Sequence, residues 1–295
     1  MMKTIAIITP TYNRAKLLPR LYHSLCKQTC FDFSWYIVDD GSTDNTLEVV
    51  RSFESKEFAI KIIEKSNGGK HTALNAGFKH IGEELVFIVD SDDWLAEDAI
   101  EAICKDWQVY KDQSTIAGLS YYKMYKSGQR VSEPYPGDYI VDTHINMRII
   151  NSIKGDCAEV IRRDVLELYP FPEIAGERFL SEAVVWNAIS EKYKMVYISK
   201  GVYFCEYQSD GLSSNSKTNQ IKNPLGTMLH AKAHLYRSVR LSIRLKYACM
   251  YIAISRFAKI NLVKALKASG NSWLCLIMLI PGFALYFFWK RKYSR

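Results

Sequence analysis

Four polar clusters in the front of the chain hold residue types that can do chemistry. They are Thr9-Pro10-Thr11-Tyr12-Asn13-Arg14, Asp39-Asp40-Gly41-Ser42-Thr43-Asp44, Asn67-Gly68-Gly69-Lys70 and Asp90-Ser91-Asp92-Asp93. In extended chain, residues two apart project to one side, so Asp90 and Asp92 can share a ligand while Asp93 faces elsewhere. Clustered carboxylates without His or Cys favour a hard, oxygen-preferring cation, Mg2+ or Mn2+. Such an ion neutralises a diphosphate and stabilises it as a leaving group. The competing reading of Asp90–Asp93 is a solvated turn that caps a helix from Leu95, where acids suit the N-terminal dipole. Asp39–Asp44 admits the same two readings, with a cap at Thr46 and Gly41 in the turn. Two acidic patches on one rim repel each other unless a cation or a donor-rich ligand sits between them.

Each cluster follows a short apolar run: Ile5–Ile8, Trp35–Val38, Ile60–Ile63 and Leu85–Val89. Helix-compatible stretches lie between and after them, with Leu17, Leu18, Leu21 and Leu25 at helical spacing, then Thr46–Phe53, His71–Ile81 and Ala96–Tyr110. Strands alternating with helices predict an α/β fold with a mostly parallel sheet flanked by helices. Runs that are continuous rather than alternating in apolarity, interrupted only at Lys61, fit a sheet covered on both faces. Ligands of such sheets bind beyond the carboxyl ends of the strands, so the four clusters are expected on one rim. Beyond residue 125 the regularity fades. Residues 126–156 are turn-rich, Asp164–Leu168 and Glu182–Tyr193 read as helices, and Val196–Ile198 and Tyr203-Phe204 as short strands.

In order and spacing, the first, second and fourth clusters resemble the motifs of family 2 glycosyltransferases of the bacterial surface-glycan type. Asn67-Gly68-Gly69-Lys70 with Ala73-Leu74-Asn75-Ala76-Gly77 is similar to that family's third segment. The resemblance covers residues 3–210 and is strongest over the first hundred. It implies a Rossmann-like GT-A fold, a nucleotide-diphosphate-sugar donor such as a UDP-sugar, a Mn2+ or Mg2+ ion and inversion at the anomeric carbon. Carried over by position, Pro10, Tyr12 and Asp40 match residues that hold the nucleoside. Asp92 matches the principal metal-contacting acid, with Asp90 and Asp93 as neighbours, and Lys70 lies where a base could approach the diphosphate. An inverting transfer needs a base for the acceptor hydroxyl. The family places an acidic pair at the start of a later helix, and the corresponding residues here are Glu182-Ala183, a departure from the usual Glu-Asp. Glu182 is the first candidate for the base and Glu177 the second.

Composition divides the chain. Of 39 Lys and Arg, 15 lie after Asp210, where no Asp or Glu occurs, leaving 24 against 31 acidic residues before it. The front is therefore acidic by 7 and the tail basic by 15, around a whole-chain charge of +8. A basic appendage meets something anionic, a membrane surface or a nucleic acid. The expected organisation is a catalytic domain at 1–210, with a nucleotide-sugar half at 1–125 and an acceptor half at 126–210. A linker at 211–229 and a basic, apolar membrane-associating region at 230–295 follow. In that region 230–268 reads as a long helix or helix pair, with Arg237, Arg240 and Arg244 on one face. Trp273–Trp289 is uncharged, bordered by Trp and followed by Lys290-Arg291-Lys292. Trp borders and flanking cations are interfacial anchors. Its 17 residues rise about 25 Å, short of a ~30 Å hydrocarbon core, and Pro281-Gly282 falls at the centre. The expectation is a re-entrant or interfacial hairpin at the cytoplasmic face of the cell membrane.

The function expected is transfer of a sugar to a hydroxyl of a lipid-linked or cell-surface glycan acceptor. The alternatives are a basic-tailed nucleic-acid-binding protein and a sugar nucleotidyltransferase. An uncharged apolar segment is of no use to a phosphate-binding arm, so a nucleic-acid partner is not expected. Several other classes are excluded. The chain has no GxGxxG, no P-loop and no GxSxG elbow. Seven Cys at irregular spacing do not form a disulfide framework. His23, Cys26 and Cys30 could line one helix face but lack a fourth zinc ligand.

Overall fold

A computed structural model describes residues 3–206, 216–237 and 239–293. The chain forms two compact units. One comprises residues up to Phe171 together with Ala188–Gln208, and the other comprises Pro172–Asn187 and Ser209–Arg295.

The first unit is built on one nine-stranded sheet in the order β3-β2-β1-β4-β8-β6-β9-β5, with β7 also on β9. The four predicted runs are β1 (Ile5–Thr11), β2 (Phe33–Asp39), β3 (Ile60–Glu64) and β4 (Leu85–Ile88). All four are mutually parallel. Every residue of β1 and β2 is buried, as a sheet covered on both faces requires. The connecting helices are α1 (Leu18–Cys26), α2 (Thr46–Arg51) and α3 (Lys70–Phe78). A two-residue strand, β5 (Trp94–Leu95), then precedes α4 (Ala99–Tyr110).

The other half of the sheet departs from simple alternation. β8 (Cys157–Arg162) runs antiparallel between β4 and β6 (Ile116–Tyr125), whereas β6 and β9 (Lys194–Cys205) are parallel. β5 and β7 (Tyr139–Asp142) join β9 antiparallel. The sheet is therefore mixed, parallel through β1 to β4 and between β6 and β9 and antiparallel in its other pairs. The stretch read as turns at 126–156 contains β7 and a π-helical segment, Ile145–Ile150. The two short strands expected near 196 and 203 are one strand, with register shifts in its pairing to β6. Polar Ser199-Lys200-Gly201 at those shifts hid its continuity. Helix α5 (Arg163–Leu168) closes this part of the unit.

The second unit is helical. Helix α6 (Ala183–Ile189) crosses the division between the units. Helices α7 (Ser216–Lys222) and α8 (Pro224–Lys232) occupy the described part of the stretch read as a linker. The long helix or helix pair expected over 230–268 is three pieces: the end of α8, α9 (Leu241–Phe257) and α10 (Leu262–Ala268). Arg240 is extended at the start of α9 (ψ 137°), so Arg237, Arg240 and Arg244 do not share one helix face. Asn261 starts α10 by accepting hydrogen bonds from the amides of Val263 and Lys264.

The Trp273–Trp289 segment forms α11 (Ser272–Ile277) and α12 (Leu279–Tyr293), which break at Met278 rather than at Pro281-Gly282. Pro281 lies in the first turn of α12, where its missing N–H costs nothing. Gly282 packs against α9, and a Cβ there would meet Ile252 Cγ2 at 2.6 Å. Among the described residues no helix is long and apolar enough to cross a membrane. The two bordering tryptophans differ: Trp273 is exposed, but Trp289 is buried in the helical core beneath the Lys217 ammonium. Only the first has the exposure expected of an interfacial anchor.

Candidate active site

All four clusters lie in the sheet unit at the carboxyl ends of β1 to β4. At the end of β1, Pro10 pairs in register with Val38 of β2, but β4 reaches only to Ile8, so the missing Pro10 N–H interrupts no ladder on that side. Beyond it the loops are laced together. Asn13 is left-handed (φ +53°), its N–H donates to Ser42 Oγ and its Oδ1 accepts from the Thr43 amide. The Arg14 amide donates to Thr46 Oγ1. Tyr12 stands exposed on this framework, an open aromatic face suited to a base or sugar ring.

The paired acids of the second cluster do different work. Asp39 is buried, and its Oδ2 accepts from the Gly41 and Ser42 amides, which shapes its own turn. Asp40 reaches across to the third cluster. Its carboxylate accepts from Lys65 Nζ (2.7 Å), the Gly68 amide (2.9 Å), the Gly69 amide (2.7 Å) and Asn67 Nδ2 (3.2 Å). Gly69 has φ +96°, a conformation that side chains resist, and this turns its N–H toward the acid. Asn67-Gly68-Gly69 is thus first of all a donor cradle for Asp40, and Lys65, which sequence reading did not single out, is its cation. At paired positions of the two strands, Thr11 Oγ1 and Asp39 Oδ1 are buried with no hydrogen-bond partner.

The fourth cluster sorts its three carboxylates. Asp90 forms an ion pair with Lys70, and its second oxygen lies 3.7 Å from Lys123 Nζ. Burial alone would push the Asp90 carboxyl up, but these two ammonium groups hold it down at about 2. Asp93 is buried and accepts from the Tyr203 hydroxyl at 2.7 Å, while that oxygen accepts from the Asp90 amide at 2.9 Å. Burial, then the Asp90 charge, pushes Asp93 up to about 7. Asp92 is half-buried, and its side chain has no ion-pair partner among the described residues. Burial and the neighbouring Asp90 charge raise its pKa as well. The loop is no helix cap: β5 follows it, and α4 begins at Ala99.

Asp90 is held by two lysines, whereas Asp92, close enough to feel its charge, is not. Among the described residues no group of three His, Cys, Asp or Glu side chains could hold a metal ion. The donor set still fits one divalent cation. Mg2+-type ions bind through one or two carboxylates and complete their shell with water and substrate phosphate. Asp92 is such a carboxylate, half-buried beside Asp90.

Besides Lys65, three residues at this site escaped the sequence reading: Lys123, Tyr203 and Arg20. Lys123 lies in β6, half-buried between Asp90 and the Tyr203 ring, whose centroid is 4.3 Å from Nζ. Burial lowers its pKa, but Asp90 and Asp93 more than reverse that. Tyr203 lies in β9, 110 residues from Asp93. The one available signal for Lys123 was a cation following the buried run Ile116–Tyr122. Arg20 of α1 was also missed. It donates to the Asp92 carbonyl oxygen, pairs with Glu206 and lies over the Trp94 ring.

The two candidate bases belong to the helical unit. Glu182 opens α6, with its carbonyl accepting from the Val185 and Trp186 amides, so it sits at a helix start as expected. Glu177 serves another helix: its carboxylate accepts from the Leu225 amide (2.6 Å) and the Gly226 amide (2.7 Å), capping the start of α8.

The mixed sheet flanked by helices, with its polar clusters on one rim, is the fold of solved glycosyltransferases. The family model described as Glycosyl transferase family 2 matches residues 6–169, and the chain belongs to that family. It is 28% identical over 225 residues to the glycosyltransferase GlyG of Streptococcus pneumoniae, covering 72% of this chain and 73% of that one. It is 36% identical over 103 residues to the poly(ribitol-phosphate) beta-N-acetylglucosaminyltransferase TarS of Staphylococcus aureus, covering 34% of this chain and 18% of TarS. Among solved structures, TarS 1–349 in complex with UDP-GlcNAc aligns with a TM-score of 0.62 at 18% identity, covering 98% of this chain and 92% of that one. The mannosyltransferase PcManGT of Pyrobaculum calidifontis, with GDP-Man and Mn2+, aligns at a TM-score of 0.58 and 20% identity, covering 100% and 85%.

Proposed function

We propose that this glycosyltransferase moves a sugar, with inversion, from a nucleotide-diphosphate-sugar to a hydroxyl of a lipid-linked or cell-surface glycan acceptor. A UDP-sugar is the expected donor, and the reaction takes place at the cytoplasmic face of the cell membrane. The observation that carries this reading is the sorting of the rim carboxylates, in which Asp40 and Asp90 are matched by protein donors and Asp92 is left for a cation. Pro10 and Tyr12 line the nucleoside side with Asp40 behind them, and Lys70 can exchange Asp90 for a phosphate because Lys123 stays with Asp90. A Mn2+ or Mg2+ ion on Asp92, with Asp90 and Asp93 as neighbours, supplies charge neutralisation for the departing diphosphate.

Glu182 is assigned the acceptor proton and Glu177 is the second choice, because its oxygens are already committed to helix amides. Screening nucleotide sugars for thermal stabilisation and for hydrolysis, each with and without Mn2+, tests the donor class. A response to none of them sinks the proposal. Glu182→Gln is expected to lower turnover about a hundredfold or more with donor affinity unchanged. Near-normal turnover removes Glu182 from the role.

A further inference from the structure

Helices α11 and α12 expose apolar side chains that their own unit leaves uncovered. Along α12, Ile280, Phe287, Phe288 and Arg291 fall at i, i+7, i+8 and i+11, one face of a helix, and all four are exposed. The opposite face, Gly282 and Trp289, is buried in the unit's core. In the preceding helix Trp273 and Ile277 are exposed as well. Trp273 is 77% exposed and Ile280 84%, which is unusual for residues of this size. The exposed charged residues on α10, α11 and α12 are all cations: Lys264 and Lys267 on α10, and Lys290, Arg291 and Lys292 at the end of α12. No acidic residue occurs anywhere after Asp210.

We infer that this face is a docking surface for an anionic lipid bilayer, with α11 and α12 lying in the plane of the interface. An apolar stripe bordered by Lys and Arg fits acyl chains beneath anionic headgroups. The charge also decides against a second copy of the same face, which would bring like charges together. At 15 residues α12 is about 22 Å long, too short for a ~30 Å core, so the helix lies in the interface rather than crossing it. The inference deepens the membrane placement proposed above. Vesicle binding is measured without donor, and donor-induced stabilisation without vesicles, so failure of one is separable from failure of the other.

The test is co-sedimentation of the full chain with phosphatidylcholine vesicles, with and without phosphatidylglycerol. The wild-type chain is expected to bind the phosphatidylglycerol vesicles at least about tenfold better. Phe287→Glu with Phe288→Glu is expected to lose on the order of tenfold or more of that binding and to keep the wild-type circular dichroism. If the double variant does not fold, Ile280→Ser carries the same test. Replacing Lys290, Arg291 and Lys292 with Gln should remove most of the preference for anionic vesicles. The inference is overturned by equal binding of wild type and variants, or by equal binding to both vesicle types. It is also overturned if vesicle binding is absent and light scattering shows a dimer that the variants abolish, or if salt-sensitive nucleic acid binding replaces vesicle binding.

Discussion

The rim of the sheet unit and the outer face of α11 and α12 treat charge in opposite ways. On the rim, carboxylates are drawn inward and nearly every one is answered: Asp40 by Lys65 and the 67–69 loop, Asp90 by Lys70 and Lys123, Asp93 by Tyr203. On the helical face, cations stand outward beside bare Phe and Ile. Buried charge is costly unless it is paired, so the rim's pairing is a condition of its folding. Exposed cations need no partner, so the helical face carries its charge without internal cost. The rim is therefore where substitutions should damage folding and chemistry together. On the helical face, packing and partner binding should separate.

The largest effect is expected at Asp40. Asp40→Ala strands the Lys65 ammonium and the amides of Gly68 and Gly69, a loss of about 3–5 kcal/mol by analogy with other broken buried pairs. Urea unfolding of the catalytic unit measures it. A loss under 1 kcal/mol would mean that the cradle is not holding the acid, and the contrast between the regions would weaken.

Asp92→Asn comes next and should act on chemistry alone. Having no ion-pair partner to lose, the variant should keep its unfolding midpoint, because substitutions without such partners fall within about 0.5 kcal/mol. Metal-dependent donor turnover should fall about a hundredfold, or about 2.7 kcal/mol of transition-state stabilisation. Asp90→Asn offers the contrast: it leaves two lysines facing a neutral group and should lower stability as well as turnover.

In the helical unit the largest packing effect falls at Gly282. Gly282→Val puts a branched side chain where even a Cβ would lie 2.6 Å from Ile252, and overpacking of this kind costs about 1–3 kcal/mol. Donor stabilisation of the sheet unit should persist while the helical unit melts earlier. Loss of both together would mean that the two units do not fold separately.

The legible part of the molecule was the part whose logic is local. β1, β2 and β4 begin as or form continuous apolar runs that lead into polar clusters, and the rim that gathers the clusters follows from that order; β3, interrupted by Lys61, is the partly exposed edge strand. What was not legible is set by sheet neighbours far apart in sequence. Tyr203 meets Asp93 only because β9 pairs with β5, and Lys123 meets Asp90 only because β8 joins β4 to β6. The acids Asp40 and Asp90 were readable, but their partners Lys65 and Lys123 were not. In the tail, the break at 233–240 carries no Gly or Pro to announce it. Asn261 did offer a cap signal for α10, as Ser, Asn and Asp do at helix starts.

The smallest effect, and the one that sharpens the assignment of the base, is at Glu177. Its two oxygens accept from consecutive amides at the start of α8, a charge-assisted cap placed 48 residues away in sequence. Glu177→Gln keeps one carbonyl oxygen for that role and removes the negative charge from the positive end of the helix. The expected cost is about 1 kcal/mol in the helical unit, seen as a small shift in its unfolding midpoint. Turnover should change by less than about threefold, because a carboxylate whose two oxygens each already accept from an amide is a poor proton acceptor. A collapse of turnover with little change in stability would transfer the base from Glu182 to Glu177. It would also mean that this carboxylate leaves the start of α8 when the acceptor arrives.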